Sequence, residues 1–398
     1  MSHSQASSPA GGTDFVIRVV QSLKDFERAD WDRLSGASRS SGCYNPFVSY
    51  AFLSALEASG SATRATGWMG QHLRLERADG TLAGASPCYL KNHSQGEYVF
   101  DHGWADAFER AGGQYYPKLQ VSVPFTPATG PRLLVCEDFE AEAVRRALAG
   151  GLKLLTERLG VSSVHVTFAP EDEMRLLESE GFLHRTDQQF HFINHGYRDY
   201  DDFLDTLASR KRKALRKERS AALQSGIEVE WLSGSGLTET VWDDFFAFYM
   251  DTGGRKWGRP YLTREFFSLI GQEMADDIVL IMARRNGRYI AGALNLAGSE
   301  TIFGRHWGCV EDHRFLHFEL CYHQAIDYAI AHKLKKVEAG AQGQHKLARG
   351  YVPVTTHSAH FIPHSGFRRA VDDYLRHERR EVEHIAEVLE AHAPFKKA

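Results

Sequence analysis

The sequence predicts an α+β protein: two tandem copies of one unit, followed by a long C-terminal helix. Three observations predict it. Alternating runs at 72–91 and 278–298 read as hairpins about Asp79-Gly80 and Asn286-Gly287. Each turn is followed by Ala-Gly-Ala, at 83–85 and 291–293, and then by Phe-x-x-x-Trp, at 100–104 and 303–307, taken here as matching strands. In the second copy the hairpin and strand lead through a loop to helix 317–332. Its stripe of Phe318, Tyr322, Ala325, Ile326 and Ala329 is apolar at helical spacing, and the strand "KKVEAGA" follows. A length of 398 residues suits two domains with their own cores. The expected division is a disordered tail over 1–13, a first unit over 14–195 and a second over 196–398.

The other elements are predicted as follows. "FVIRVV" (15–20) is a strand. Helices cover 22–34 and 46–58, the second capped by Asn45 with Pro46 at its first position. "EYVFDHGW" (97–104) reads as another strand. Residues 115–134 carry Pro117, Pro124, Pro127 and Pro131, which stiffen a connector or a pocket wall. Strands at 162–168, 188–194 and 227–232 alternate with helices at 171–180, 200–224 and 238–250. The charged helix 367–392 ends the chain.

Net charge is −4, so the whole chain does not bind nucleic acid by bulk electrostatics, although a local basic patch can. Five cysteines are dispersed without a CxxC pair, which argues against a disulfide framework or a zinc knuckle. The start, "MSHSQASSPAGGTD", lacks the apolar core of a signal peptide, and no apolar run reaches membrane-spanning length. The expected location is the cytoplasm.

Chemistry concentrates in "EAGAQGQHKLARGYVP" (338–353). Its spacing is not that of a P-loop, since Leu347 follows Lys346 where Ser or Thr is required. Gly340 and Gly343 can bring backbone close to a ligand, and Gln342 between them is a further candidate substrate contact. Lys346 can stabilise an oxyanion, with Glu338 or His345 as base; the alternative is a glycine-rich turn with a solvated lysine. Between 210 and 219, seven of ten residues are basic. Arg212, Lys213, Arg216 and Lys217 are the expected phosphate contacts, against a plain solvated helix face. Trp104, Tyr116, Lys118, Thr126 and Arg132 are candidate substrate contacts in the first unit, with Arg305 and Trp307 in the second. Asp101 is the reserve base. Glu319, His323 and Asp327 recur every four residues, a pattern read as surface pairs rather than a metal face. No metal is expected.

The order hairpin, strand, loop, amphipathic helix, strand resembles the core of a GNAT-type acyltransferase. "SRKRKALRKERSAALQSGIEVE" and the Lys346 segment resemble the corresponding regions of Fem-type peptidyltransferases. "NPFVSYAFLSALEASG", "KNHSQGEYVFDHGWADAFERAG", "YYPKL" and "EAGAQGQHKLARGY" look like bacterial proteins of the peptidoglycan biosynthesis/recognition group, from about residue 14 to the end. This resemblance implies two GNAT-like domains sharing a cleft. It implies acyl-CoA or aminoacyl-tRNA as donor and an amine acceptor, such as a peptidoglycan precursor, with tRNA a further candidate partner. It matches Lys346 to the lysine that stabilises charge during transfer. Two departures stand out. No helical coiled-coil arm is evident, and the loop "CVEDHRFLHF" (309–318) lacks the glycines that hold a CoA pyrophosphate in GNAT enzymes. The alternatives are an aminoacyl-tRNA-dependent peptidyltransferase and a non-catalytic binder of anionic cell-wall precursors.

Overall fold

The computed structural model describes residues 15–36, 42, 44–257, 260–340 and 343–396; the tail expected at 1–13 lies outside them. The first half contains β1 (Phe15–Val20), α1 (Arg28–Ser35), α2 (Tyr50–Ala58), β2 (Met69–Gly70), β3 (His72–Arg77), β4 (Leu82–Ser86), β5 (Cys88–Lys91) and α3 (His102–Arg110). It continues with β6 (Lys118–Val121), β7 (Leu134–Val135), α4 (Ala141–Leu159), β8 (Val164–Ala169), α5 (Glu171–Ser179) and β9 (Leu183–Ile193). The second half opens with α6 (Tyr200–Asp205), α7 (Ser209–Ala222), β10 (Ile227–Leu232), α8 (Glu239–Trp257), α9 (Arg264–Glu273), β11 (Ile278–Arg285), β12 (Arg288–Ala297) and β13 (Thr301–Cys309). A broken helix follows: α10 (Leu316–Phe318), a π-helical turn (Glu319–His323) and α11 (Gln324–Ala331). Then come β14 (Lys336–Glu338), a 3₁₀ turn (Gln344–Arg349), β15 (Val352–Phe361) and α12 (Ser365–Ala391).

Strand pairing carries the tandem repetition. In the first half β1, β3 and β4 run antiparallel; after Pro87 the chain continues into β5, antiparallel to β6, and β6 is parallel to β8. In the second half β10, β11, β12 and β13 run antiparallel and β13 is parallel to β14. A parallel pair needs a crossover; α4 supplies the first and the α10–α11 segment the second. The last strand of each half then pairs with the other half. β9 pairs with β14, β15 with β8, and β9 and β15 pair together. This exchange joins the halves in one eleven-stranded sheet, ordered β10-β11-β12-β13-β14-β9-β15-β8-β6-β5-β2. A core cluster also spans the halves: the Phe47 ring lies 5.1 Å from that of Phe303, and Phe52 lies 5.5 Å from Phe266.

Four expectations need correction. Residues 97–104 are not a strand: Glu97 and Asp101 both turn inward onto Lys118, and α3 begins at His102. The partner of β13 by position in the fold is β6, so the Phe-x-x-x-Trp likeness was fortuitous, although the Ala-Gly-Ala strands do correspond. Helix 200–224 is two helices. Its backbone is interrupted where Ala208 N–H donates to Pro394 O and Leu207 bridges to Phe395. Helix 22–34 begins as a short 3₁₀ turn, Leu23–Asp25, ahead of α1.

Candidate functional site

β13 and β14 pair only from Thr301/Lys336 to Phe303/Glu338. Beyond that point they part. A bulge on β13 assists the opening. Leu294 pairs with His306 but Asn295 with Gly304, so Arg305 is the extra residue, and bulges re-aim side chains. The opening holds a cavity of about 100 Å³ whose lining includes Asn295, Gly304, Arg305, Trp307, Tyr322 and Ala339.

The equivalent opening in the first half, beyond Val121/Val166, is filled by the chain itself. Arg132, 1% exposed, donates to Thr167 O at 3.0 Å, Gly130 O at 2.9 Å and Ala128 O at 2.8 Å. The Glu173 carboxylate accepts the Arg132 and Leu133 amide N–H groups. Burial pushes its carboxyl up to about 7, against those hydrogen bonds. The proline-rich loop is thus pinned over the first opening, and the second remains open.

Lys346 lies on the 3₁₀ turn that follows β14, beyond Ala339 of the cavity lining, with its Nζ 6.0 Å from the centre of the Tyr322 ring. Gly340 and Gly343 flank the turn with φ of 78° and 122°, and a Cβ on Gly343 would lie 2.6 Å from the His345 ring. This backbone turns Lys346 inward. Its Nζ donates to Gly340 O at 2.8 Å, and the residue is 1% exposed with no salt bridge among the described residues. Burial lowers its pKa to about 8. His345 stays largely exposed, with its Nε2 2.9 Å from the Tyr322 hydroxyl; partial desolvation of the ring, with the nearby Arg349 and Lys346 charges, lowers its pKa. Gln342 lies outside the described residues.

The helix-facing side of the opening carries Asn295, Trp307, His317, Cys321 and Tyr322. The opposite side carries Glu338, which pairs across the sheet with His191 of β9. Glu338 is 3% exposed. Its Oε1 accepts from Lys336 Nζ at 2.7 Å, while Oε2 has no partner among the described residues. Gln189 spends its amide N–H on Pro127 O, so its Oε1 must accept from His191 Nε2, at 3.3 Å. That leaves His191 Nδ1 with the free lone pair. Burial lowers the pKa of His191 and keeps it neutral. Arg305 donates to Phe125 O and bonds the Tyr98 side chain, with no carboxylate partner among the described residues; burial lowers its pKa. The site therefore joins the proline-rich loop, β9, β13, β14 and the Lys346 turn.

The basic helix α7 is part scaffold and part surface. Arg219 grips Glu319 at 2.8 Å and Asp327 at 2.6 Å. Glu218 holds His323 Nε2 at 2.9 Å and Arg349 at 2.7 Å, and Arg349 Nη1 donates to His345 O at 2.7 Å. Glu319, His323 and Asp327 are therefore not surface pairs. Glu319 and His323 are fully buried, and all three are claimed by α7. Arg212 and Arg216 pair with Asp205 and Asp201 at 2.8 Å each, while Lys213 and Lys217 are exposed beside Arg210 and Lys211.

The candidates from the first half gather elsewhere. Lys118, fully buried, holds Glu97 and Asp101; Tyr115 OH also donates to Asp101, whose carboxyl is held well below the ordinary range by Lys118 against the cost of burial. Tyr116 bonds Ser94 and Thr126 bonds Pro124 O. Trp104 lines an apolar groove of about 700 Å³ between α3 and α12, walled by Phe108, Phe367 and Tyr374. The structure does not bring Asp101, Trp104, Tyr116 or Lys118 to the open cleft. His191, Gln189, Asn295 and Tyr322 are there without having been singled out, since each is an ordinary member of a strand or a helix stripe.

The FemAB-like family model, described as peptidoglycan biosynthesis/recognition, matches residues 22–397. The chain belongs to the FemAB-like family. Among solved structures, FemX is similar to this FemAB-like protein at 12% identity, over 87% of this chain and 98% of that one, with a TM-score of 0.53. A conserved protein of unknown function from Bacteroides thetaiotaomicron is similar at 14% identity over 87% and 99%, with a TM-score of 0.50. These two show a shared fold. A tandem GNAT protein from the clavulanic acid biosynthesis pathway gives 12% identity over 88% and 98%, with a TM-score of 0.46. No curated protein sequence matches the chain. Among the described residues, no helix is long and apolar enough to cross a membrane.

Proposed function

We propose that this FemAB-like protein is an N-acyltransferase that moves an acyl or aminoacyl group to an amine, with a peptidoglycan precursor as acceptor. The observation that carries the reading is the Lys346 ammonium, buried and without a counter-ion among the described residues, bonded to Gly340 O beside Ala339 of the cavity lining. The donor lies on the helix side of the opening and the acceptor amine on the side of the proline-rich loop. The amine nitrogen attacks the donor carbonyl carbon. A C–N bond forms, and the oxyanion is met by Lys346. The amine proton passes to Glu338 Oε2 or His191 Nδ1. The C–O or C–S bond to the carrier then breaks, and the leaving group takes up a proton.

Aminoacyl-tRNA is the preferred donor. The exposed Arg210, Lys211, Lys213 and Lys217 offer a phosphate-binding face on α7, and the loop 309–318 has no glycine for a CoA pyrophosphate. The test is transfer from labelled aminoacyl-tRNA and from acetyl-CoA to a soluble muramyl-peptide precursor with a free amine. Product from either donor, lost in Lys346→Ala, is the expected result. Equal product from Lys346→Ala and the parent, or none from either donor with protein shown to be folded by its thermal melting, overturns it.

A further inference from the structure

We infer that Asn295 recognises the donor by accepting a hydrogen bond from an N–H of the acyl-carrying group. This rests on the reading that the helix side of the opening is the donor side. Asn295 is 1% exposed. Its Nδ2 donates to Val279 O and to Ala293 O, both at 3.2 Å. That pairing settles the orientation of the amide, because a flipped oxygen would face two carbonyls. Oδ1 must therefore point the other way, and it has no partner among the described residues. Buried polar atoms are normally paired, so an orphan acceptor in a cavity wall indicates what the cavity is built to hold.

The neighbouring residue supports this. The bulge sets Asn295 opposite Gly304, and both line the cavity. Gly304 is not in the left-handed region, so its backbone does not call for glycine. A Cβ there would stand 3.3 Å from Asn295 Oδ1 and 3.6 Å from Ala339 Cα. Glycine at this position leaves the acceptor uncovered. A donor whose polar atoms only accept leaves Oδ1 unmet. An α-ammonium on an aminoacyl ester, or an amide N–H of a pantetheine arm, satisfies it.

Calorimetric binding to matched probes tests the inference. One pair is 3′-alanylamino-3′-deoxyadenosine and its propionyl counterpart, which lacks the amine. The other is desulfo-coenzyme A and a form with its pantetheine amides N-methylated. The expected result is that one pair binds and that losing the N–H weakens binding roughly tenfold or more, since a site built for a hydrogen-bond donor rejects analogues lacking it. Which pair binds names the donor. Gly304→Ala, which leaves every Asn295 hydrogen bond in place, should abolish the discrimination even if Asn295→Ala fails to fold. Lys346→Ala should retain it, so failure of catalysis and failure of recognition are read separately. Absence of binding by both pairs, equal binding within the pair, or discrimination surviving in Gly304→Ala overturns the inference.

Discussion

Replacing Lys346 by Met and by Arg separates charge from shape at the centre of the site. The ammonium makes one hydrogen bond, to Gly340 O at 2.8 Å, and leaves two N–H groups for a developing oxyanion. Removing one buried oxyanion donor lowers the chemical step by roughly 10²–10³, about 3–4 kcal/mol of barrier. Burial sets the Lys346 pKa near 8. At pH 7 the charged form therefore dominates by roughly ten to one, and the single-turnover rate should fall as pH rises through 8. In Lys346→Arg the charge persists, so that alkaline limb should vanish while part of the rate remains. In Lys346→Met the rate should be low and show no alkaline loss. The assay is rapid-quench transfer from pH 6 to 9.5, with thermal melting to confirm folding. A Met variant within threefold of the parent at pH 7, or the same alkaline limb in all three proteins, would refute the assignment.

Other predictions follow from the supports of the site. Arg219→Ala leaves the buried Glu319 and the half-buried Asp327 without their shared cation, so unfolding by urea should show a loss of up to about 3–5 kcal/mol. Arg132→Met frees the proline-rich loop and strips several buried carbonyls of their donor; each unpaired group costs about 1–3 kcal/mol, and proteolysis should cut within 124–131. Glu173 has its folded pKa raised to about 7. The fold therefore favours its protonated form, and the stability this contributes is complete below the unfolded value and is lost as pH rises to 7. Glu173→Gln should flatten the fall in melting temperature between pH 5 and 7, an effect of at most about 3 kcal/mol. Charge reversal at Lys213 and Lys217 should weaken tRNA binding and reduce its salt dependence, measured by fluorescence anisotropy.

The repeated hairpins, the amphipathic crossover and the Lys346 turn were legible because each rests on local pattern. Asn286-Gly287 fixes a turn, the Phe318–Ala329 stripe fixes a buried face, and clustered glycines mark close backbone approach. The exchange of β9 and β15 between halves was not legible. β15 reads "VPVTTHSAHF", and its place between β8 and β9 is set by partners far away in sequence. Residues 97–104 carry the strand-forming run Tyr98-Val99-Phe100, yet the buried Lys118 drew both acidic residues inward. Arg132 and Lys118 looked like ligands for an anion, and their contacts lie within the protein. His191 and Asn295 gave no signal, because their meaning comes only from the strand opposite them.

The most direct test of the central claim is a crystal structure with a non-hydrolysable donor analogue, 3′-alanylamino-terminated RNA or desulfo-coenzyme A. The account predicts density for the acyl end between β13 and β14, within reach of Lys346 Nζ and on the Asn295 side. An acyl end seated instead in the groove between α3 and α12, or against the first-half opening held shut by Arg132, would contradict it.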